Sequence, residues 1–538
     1  MPIVYSWEFA RAYYSASQAP AAGIALFCSD LSDGPKTGGE NNNGVYVTLF
    51  GYGFGATRGA GTVTLGGGAV ASYVSWSDGK IVVQLGSAVA TGNFTVTNNS
   101  GQSATGCIQK PAGETNDFTV RSGNIYFVST SGSGTVGSIA APISPTQMAS
   151  QMAAGHTYYL RAGTYNGIYN ASAGSPFETF EIDSTHSGTA QNFIAIVGYP
   201  GEQPRFNGQS GRETCIHLNW GGDLTTPAHH LTFSNLYING GIEGGATLSL
   251  SRSGGRDIRL VGCKITAEVW GTSTVSTGAV DAPGDNWHIL ANEFTLIGGV
   301  VGNNQAHALY VQIGASHIRI RWNYFHDNIT GAQCQIHTDE QAHDGGGVGP
   351  FFFDDVIVDS NIFTSTSDQA RGVTCSDMTL ASNVLISNNL FYACGSGAGA
   401  IIMIQGTHKV YNNTLYNCSG SNAINVSFFG TDRGDFEVKN NIIYGNLSTG
   451  YVGRDGGTSP LVIDNNCYFG NGSGPGADTH AINANPLFTN AGTLDFTLQA
   501  GSPARNAGLN LSSLVPLDKV GVPRPQGAAM DLGAYEAS

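Results

Sequence analysis

The sequence predicts an all-β protein in which a small β-sandwich is followed by a parallel β-helix. The 538 residues include 76 glycines, 11% are charged and 41% are hydrophobic, a composition that favours strands and turns. Short alternating strands occupy residues 20–118, and an asparagine-marked repeat occupies most of the remainder. The predicted organisation is an N-terminal extension at 1–19, a sandwich at 20–118, a β-helix at 119–484 and its closing segment at 485–538.

The net charge argues against nucleic acid as a partner, and the hydropathy of the sequence argues against a membrane span. A net charge of −15 argues against nucleic acid, whose binding requires clustered Lys and Arg. A bound polyanion would need a local basic cluster or Ca²⁺. No run of eighteen apolar residues predicts a membrane span. The opening MPIVYSWEF lacks a basic region followed by an apolar one, so no signal peptide is expected in this sequence.

The first unit combines alternating strands with glycine-rich turns. VYVTLFGYGFG, GTVTLGGGAV and GNFTVTNNSG show the short, regularly spaced strands of a β-sandwich. Gly34-Pro35, Gly38-Gly39, the GYGFG run at 51–55 and VTLGG resemble an IPT/TIG immunoglobulin-like domain. That resemblance implies a spacer or binding module. Cys28 and Cys107 lie near its two ends and are a candidate disulfide pair, although the pairing stays open, and the other seven cysteines are expected to be small buried hydrophobes.

From about residue 121 the sequence repeats every 24 to 38 residues. Asparagines followed by bulky apolar residues mark the repeat, and they are Asn235, Asn292, Asn323, Asn361, Asn389, Asn413, Asn441 and Asn466. Cys263 fills the one missing step. One repeat therefore makes one coil, and stacked coils place equivalent residues about 4.8 Å apart. An inward asparagine in each coil can bond the backbone above and below it, so the recurrence has a structural explanation.

The two ends of the repeat carry a second resemblance. YYLRAGTYNG (159–168) and IVGYPGEQPRFNG (196–208) resemble the first coils of bacterial pectate-lyase-like β-helix proteins. The residues from NPLF (485–488) to DLGAYE (531–536) resemble the closing segment of secreted bacterial β-helix proteins. The resemblance implies a right-handed parallel β-helix, secretion or a cell-surface location, and a polysaccharide partner.

One strand per coil is expected to carry the functional face. Its aligned segments are CIHLN (215–219), TLSLS (247–251), VDAPG (280–284), LYVQ (309–312), CQIH (334–337), VTCS (373–376), IMIQ (402–405) and INVS (424–427). The inward residues of this alignment are Ile216, Leu248, Val280, Leu309, Cys334, Val373, Ile402 and Ile424. The outward residues expected to meet a sugar are His217, Asp281, Tyr310, Gln312, Gln335, His337, Ser376 and Gln405, because their donors and acceptors match sugar hydroxyls.

An insertion after His337 adds charged residues beside this face. Asp339, Glu340 and Asp344 lie on a glycine-rich loop, where Asp339 and Glu340 are expected to contact substrate, and Asp339 and Asp344 to offer Ca²⁺ oxygen ligands. His307 is expected to begin its strand by bonding a turn carbonyl. The alignment separates it from His337 by roughly 16 Å, too far for one metal ion.

Two reactions and one non-catalytic role suit this face. A polysaccharide lyase needs a base for the C5 proton of a uronic acid, here Tyr310 or His337, and a cation such as Arg371 at the carboxylate. A glycoside hydrolase needs two carboxylates, here Asp281 with a loop acid such as Asp339 or Glu340. The third alternative is a glycan-binding, surface or tailspike-like fibre protein. No cofactor is required by any of the three, although Ca²⁺ could take part.

Overall fold

A computed structural model confirms an all-β protein with a long parallel β-helix behind small antiparallel sheets. The residues that it describes are 23–167, 179–208, 215–218, 228–240, 242–243, 255–267, 277–297, 306–312, 316–328, 331–337, 354–365, 370–376, 383–395, 399–404, 406–430, 434–445, 450–456 and 458–537.

The N-terminal unit is a sandwich of two antiparallel four-stranded sheets. One sheet has the order Ala25–Ser29, Tyr46–Tyr52, Lys80–Gln84 and Ser72–Trp76, and the other has the order Gly68–Ala69, Thr62–Leu65, Phe94–Thr97 and Ser103–Thr105. Alternation along Phe94–Thr97 buries Phe94 and Val96 and leaves the two threonines partly exposed, as expected for a sheet with one face on a core. A short parallel pair, Asp33–Gly34 with Thr119–Val120, links the sandwich to the segment that enters the β-helix.

Three parallel sheets form the β-helix, and each coil contributes a strand to sheets 1, 2 and 3 in turn. In the described residues, sheet 1 contains Ile125–Val128, Thr157–Leu160, Ile194–Gly198, His229–Ser234, Arg256–Val261, Trp287–Leu290, Arg319–Arg321, Val356–Asp359, Asn383–Ser387, Thr407–Tyr411, Phe436–Lys439 and Leu461–Asp464. Sheet 2 contains Gly163–Tyr165, Pro204–Asn207, Tyr237–Asn239, Lys264–Thr266, Glu293–Thr295, Tyr324–His326, Ile362–Thr364, Leu390–Tyr392, Thr414–Tyr416, Ile442–Tyr444 and Cys467–Phe469. Sheet 3 contains Phe180–Ile182, Ile216–Leu218, Ile242–Glu243, Thr277–Pro283, Ala306–Gln312, Ala332–His337, Arg371–Ser376, Ile401–Met403, Asn422–Gly430 and Gly450–Gly456.

Helical structure is minor in the described chain. The α-helix Pro145–Ser150 begins at Ser144, whose side chain accepts a hydrogen bond from the Gln147 amide, and proline occupies its first turn. Its Met148 and Ala149 pack onto the apolar end of the first coils. The 3₁₀ turns are Glu40–Asn42, Ser184–His186 and Ala491–Thr493. Within the described residues, none of the helices has the length and hydropathy to cross a membrane.

The asparagine ladder is present and runs along the turn between sheets 1 and 2. From Asn292 to Asn441, the backbone N–H and side-chain N–H of each asparagine donate to the Oδ1 of the asparagine in the next coil, at 2.9–3.1 Å. Asn466 ends the ladder on Asp478. Cys263 precedes it as predicted, since its amide donates to the Oδ1 of Asn292.

Asn235 does not belong to this ladder, so that part of the alignment was wrong by one residue. Leu236 occupies the ladder position, because its strand neighbour Tyr237 pairs with Lys264, the residue after Cys263. Asn235 itself has φ of 53°, the left-handed conformation that asparagine tolerates better than most residues. Its side chain instead donates to Asp30 and Thr48 of the sandwich.

Register also stacks the core into columns of like side chains. Phe294, Phe325, Phe363 and Phe391 occupy successive coils of sheet 2. Their rings are nearly parallel, with centroids 4.5, 4.8 and 4.9 Å apart. The spacing equals the separation of hydrogen-bonded strands, so backbone pairing and ring stacking favour the same arrangement.

All nine cysteines are free and buried. The predicted Cys28–Cys107 disulfide was therefore wrong, whereas the prediction that the others serve as small buried hydrophobes is confirmed. Cys28 packs against aromatic residues at the junction with the β-helix, while Cys107 belongs to the sandwich core. Burial raises the pKa of the Cys28 thiol to about 12, which keeps it protonated and unreactive.

The sandwich and the closing segment cover the same corner of the β-helix. Phe27 of the sandwich stacks on Trp322 with ring centroids 4.7 Å apart and an interplanar angle of 1°. Phe496 of the closing segment belongs to the same apolar cluster. A side chain at Gly521 would meet Ala25, so the segments from the two ends of the chain touch each other.

Candidate functional site

Sheet 3 carries one continuous row of residues on the face opposite the core, here called the outer row. Strand pairing places its members in register, and they are Glu181, His217, Glu243, Asp281, Tyr310, Gln335, Thr374, Ile402, Asn425 and Gly453. Their strand neighbours, such as Leu309 and Val311 beside Tyr310, lie in the core. Strand register places His217, Asp281, Tyr310 and Gln335 on the side away from the core, as predicted, but all four side chains are buried and do not have the expected exposure to water.

Two parts of the alignment were wrong. Val373 pairs with Ile401, so Ile402 lies in the outer row beside Thr374 and Ile401 is the inward residue. The prediction that Ile402 faces inward was wrong because all four residues of IIMI (401–404) are apolar, so the sequence does not show which of them point to the core and which point away from it. The sheet 3 strand that pairs with Ile216–Leu218 is Ile242–Glu243, which pairs in turn with Thr277–Pro283. The segment TLSLS (247–251), which was assigned to this position and lies outside the described residues, is therefore not that strand.

The outer row is more acidic than the sequence indicated. Asp281 was taken as its only acid, yet Glu181 and Glu243 occupy the same row. Glu181 stands between Phe180 and Ile182, which are both in the core. The alternation in FEI was the sequence signal for this position. Glu243 was missed because the wrong segment was assigned to its coil.

A bend in the strand Ala306–Gln312 brings His307 to the same face as Tyr310. Ala308 and Leu309 are consecutive in sequence and both pack in the core, so strict alternation breaks between them. The imidazole of His307 lies 5.3 Å from the Tyr310 ring, centroid to centroid, and that of His337 lies 5.9 Å from it. The two imidazoles are thus within about 11 Å, and the 16 Å estimate from an unbent strand was wrong.

His307 has a different hydrogen bond from the one predicted. Its Nδ1 accepts from the backbone N–H of Ala332 in the next coil, at 3.1 Å, instead of donating to a turn carbonyl. Burial, with the nearby charges of Arg371 and His337, lowers the pKa of His307 to about 3. A neutral imidazole that accepts at Nδ1 carries its proton on Nε2. His307 therefore presents an N–H donor at ordinary pH.

His337 is oriented by Ser376. The Nδ1 of His337 lies 2.9 Å from the Ser376 hydroxyl, which also accepts a hydrogen bond of 2.7 Å from the amide of Gln335. Gln312 pairs with His337 in the strand register, but its side chain lies outside the described residues. These contacts fix the imidazole ring beside Tyr310 while leaving His337 partly exposed.

Arg371 lies at the same strand position as His307, two coils away. Ala332 is the residue between them in register, and its methyl group leaves space that a larger side chain would fill. Burial lowers the pKa of Arg371, and its Nε is buried without a hydrogen-bond partner. Among the described residues no carboxylate forms an ion pair with this partly buried guanidinium.

Several predicted site residues lie outside the described residues. They are Asp339, Glu340, Asp344 and Gln405. The strand before Gln405 is shifted by one residue from the predicted register, because Cys375 pairs with Met403 where the alignment had placed Ile404. The described residues contain no group of three or more His, Cys, Asp or Glu side chains able to hold a metal ion.

One comparison with known proteins supports the β-helix architecture over part of the chain. A family model described as right handed beta helix region matches residues 341–490. No curated protein matches the chain. A solved pectate lyase, Pel9A, shares 16% identity over 77% of this chain and 96% of its own, with a TM-score of 0.37. XylC in complex with xylose shares 10% identity over 76% of this chain and 98% of its own, with a TM-score of 0.39. A rhamnogalacturonan lyase shares 13% identity over 68% and 85%, with a TM-score of 0.30.

Proposed function

We propose that the chain is a carbohydrate-active protein that cleaves a uronic-acid-containing polysaccharide by β-elimination on the outer face of sheet 3. The observation that carries the proposal is the placement of Tyr310. Its ring contacts two imidazoles, and Arg371, without a carboxylate partner in the described residues, lies at the strand position of His307 two coils away. A lyase requires this combination of a proton acceptor and a cation for the substrate carboxylate.

His307 and Arg371 are suited to bind that carboxylate. They occupy one strand position two coils apart, which corresponds to about 10 Å between backbones, with only Ala332 between them. The Nε2–H of neutral His307 would donate to one carboxylate oxygen and the guanidinium to the other. Neutralising the carboxylate makes the adjacent C5 proton more acidic, and a partly desolvated cation does so more strongly than one in water.

Tyr310 and His337 are the two groups placed to transfer protons. One takes the C5 proton, the C–H electrons form the C4=C5 double bond, and the C4–O4 bond breaks with its electron pair on O4. The other group donates a proton to O4, so the two protonation states exchange in each turnover. His307 cannot take the C5 proton, because a pKa of about 3 makes it a weak base.

The test is a panel of acidic and neutral polysaccharides, with ultraviolet absorbance of the new double bond as readout. We expect an unsaturated product from a uronate polymer. Arg371→Gln should lower kcat/KM by about 10²–10³-fold, the usual effect of removing one preorganised electrostatic contact, and Tyr310→Phe should abolish turnover. Arg256→Gln, at an exposed arginine of sheet 1, is the matched control. The absence of product from every polymer would overturn the proposal and favour the glycan-binding or fibre alternative.

A second candidate is glycoside hydrolysis, and the register of Glu243 with Asp281 favours it. Adjacent strands of the sheet are about 4.8 Å apart, and a retaining glycosidase needs two neighbouring carboxylates. New reducing ends without an unsaturated product, lost in Asp281→Asn, would support this reaction. The earlier pairing of Asp281 with Asp339 or Glu340 is then unnecessary.

The remaining assignments are also proposals. The N-terminal sandwich is proposed to be an IPT/TIG-like domain, and the protein to be bacterial and to act outside the cell. Ca²⁺ bound through Asp339 and Asp344 is proposed to assist binding of an acidic polymer, which the net charge of −15 would otherwise oppose. Chelation followed by Ca²⁺ addition in the same lyase assay tests this role.

A further inference from the structure

A pocket lies between the sandwich and the outer face of sheet 1, away from the outer row. Its walls form a concave space that is partly open to solvent, the general shape of small-molecule sites. The sandwich contributes Asp33 and Glu114 to its walls, and the β-helix contributes Phe193, Asp257 and His288. This set of walls is here called the interdomain pocket, and neither unit forms it alone.

The buried wall of the pocket offers hydrogen-bond donors. Arg259 donates to the Ser29 carbonyl at 2.7 Å and to Nδ1 of His288 at 3.3 Å, since a guanidinium can only donate. Burial and the charge of Arg259 hold the pKa of His288 well below its usual range, so the neutral ring carries its proton on Nε2. In the described residues, that N–H and the Nε–H of Arg259 have no hydrogen-bond partner.

The opposite walls offer acceptors and an excess of negative charge. Asp257 accepts from Asn286 at 3.0 Å through Oδ1, and Glu114 accepts from Gln191 at 3.1 Å through Oε1. The second oxygen of Asp257 faces Nε2 of His230 at 3.7 Å, and both carboxylates can accept a hydrogen bond from a ligand hydroxyl. Asp33 forms an ion pair with Arg121, so Glu114 and Asp257 are the lining carboxylates that outweigh the guanidinium of Arg259. A ligand carrying its own carboxylate would be repelled, whereas hydroxyl groups would be bound.

Phe193 supplies the apolar component of the pocket. Its side chain is only partly buried, and its ring meets His230 edge-on with centroids 5.1 Å apart. An edge-on contact leaves an aromatic face for another group. The C–H face of a pyranose ring packs on such a face while its hydroxyls bond to carboxylates and N–H donors.

We propose that the interdomain pocket binds a neutral hexopyranose unit of a glycan. It is a non-catalytic site on a different sheet from the outer row, and its charge selects neutral sugars where the outer row, through Arg371, selects acidic ones. A polymer containing both kinds of residue would be held at two places on one molecule. Binding here would also bridge the sandwich and the β-helix.

The test uses the full chain and ligand-observed saturation-transfer NMR. The probes are the methyl glycosides of glucose, galactose and mannose, with glucuronic and galacturonic acids for contrast. We expect transfer to at least one neutral glycoside and none to the uronates in Arg371→Gln, a variant that removes the proposed carboxylate contact of the outer row. Phe193→Ala should abolish this transfer. Asp257→Asn, which suits the left-handed φ of 55° at that position, should weaken affinity at least about fivefold by removing one charge-assisted hydrogen bond.

Each outcome decides the proposal. Phe193→Ala should leave turnover of any polymer cleaved by the wild type unchanged, because Phe193 is remote from the outer row. If Phe193→Ala loses the native thermal transition, Asp257→Asn alone provides the test, since it preserves side-chain volume. Failure of every neutral glycoside to bind, binding unchanged in both variants, or equal binding of uronates would overturn the proposal. None of these results bears on catalysis in the outer row.

Discussion

Replacing Asn361 with alanine tests the asparagine ladder most directly. The side chain is fully buried and makes four hydrogen bonds. Its Oδ1 accepts from the backbone and side-chain N–H groups of Asn323, at 2.9 and 3.0 Å. Its Nδ2 donates to the Ile320 carbonyl at 2.8 Å and to Asn389 at 3.0 Å. No other residue can replace these contacts in a ladder whose members are already engaged.

The cost follows from the groups left without partners. Asn361→Ala removes the acceptor of two buried N–H groups of Asn323, and each unsatisfied buried donor costs about 1–3 kcal/mol. We therefore expect a loss of about 4 kcal/mol in the free energy of unfolding, a large share of the roughly 5–15 kcal/mol typical of proteins. Local opening should also speed hydrogen exchange at the amides of the coil that contains Asn323.

Urea titration followed by circular dichroism measures the first quantity, and mass-spectrometric hydrogen exchange measures the second. Asn490→Ala is the matched control, because Asn490 is exposed and the same substitution there should cost less than about 0.5 kcal/mol. A loss below about 1 kcal/mol for Asn361→Ala, with exchange unchanged around Asn323, would refute the view that the ladder stabilises the coils.

Three further predictions concern pH and the junction of the two units. The pKa of His307 falls from 6.5 to about 3 on folding. The unfolded chain therefore binds the extra proton, and the free energy of unfolding should drop as pH falls from 6.5 towards 3. His307→Asn keeps an acceptor for the Ala332 amide and should reduce that drop, measured as the difference between urea midpoints at pH 7 and pH 4.5. The pKa of Lys519 falls from 10.5 to about 7, so stability should rise with pH between 7 and 10.5, and a Lys519→Met variant with the same rise would contradict this. Phe27→Ala removes the stack on Trp322 and should lower the free energy of unfolding by about 3–5 kcal/mol, seen as a lower midpoint of the earliest thermal transition. Phe469→Ala is the control, because the side chain of Phe469 is partly exposed and its loss should lower that midpoint less.

The architecture could be predicted because the residues that mark the repeat interact with the neighbouring coils. An asparagine that bonds the next coil leaves a signature in every repeat, and Cys263 was recognised as its substitute. Asn235 shows the limit of that signature. The residue directly before each ladder position has a left-handed conformation, and asparagine is suited both to that conformation and to the ladder position. The presence of asparagine in the sequence therefore could not show which of the two positions it occupies.

The functional face was harder to predict because it depends on register. A one-residue error turns a side chain to the opposite face, and this is what happened at Ile402, where four apolar residues in sequence conceal the period. The bend between Ala308 and Leu309, which places His307 beside Tyr310, arises from two consecutive small or apolar residues packing inward. Residue types in the neighbouring coils determine that packing, and the strand's own sequence does not.

Contact between the segments from the two ends of the chain changes how a solenoid of this kind can come apart. Linear repeat arrays lose their terminal repeats first, since a terminal repeat has one neighbour where an internal repeat has two. Here the sandwich and the closing segment both lie along the flank of the coils and meet at Gly521 and Ala25. Stepwise fraying from a tip must first detach a flanking segment that is anchored to several coils. The protein should therefore resist exoproteolysis and unfold in fewer, larger steps than an unclasped solenoid of equal length.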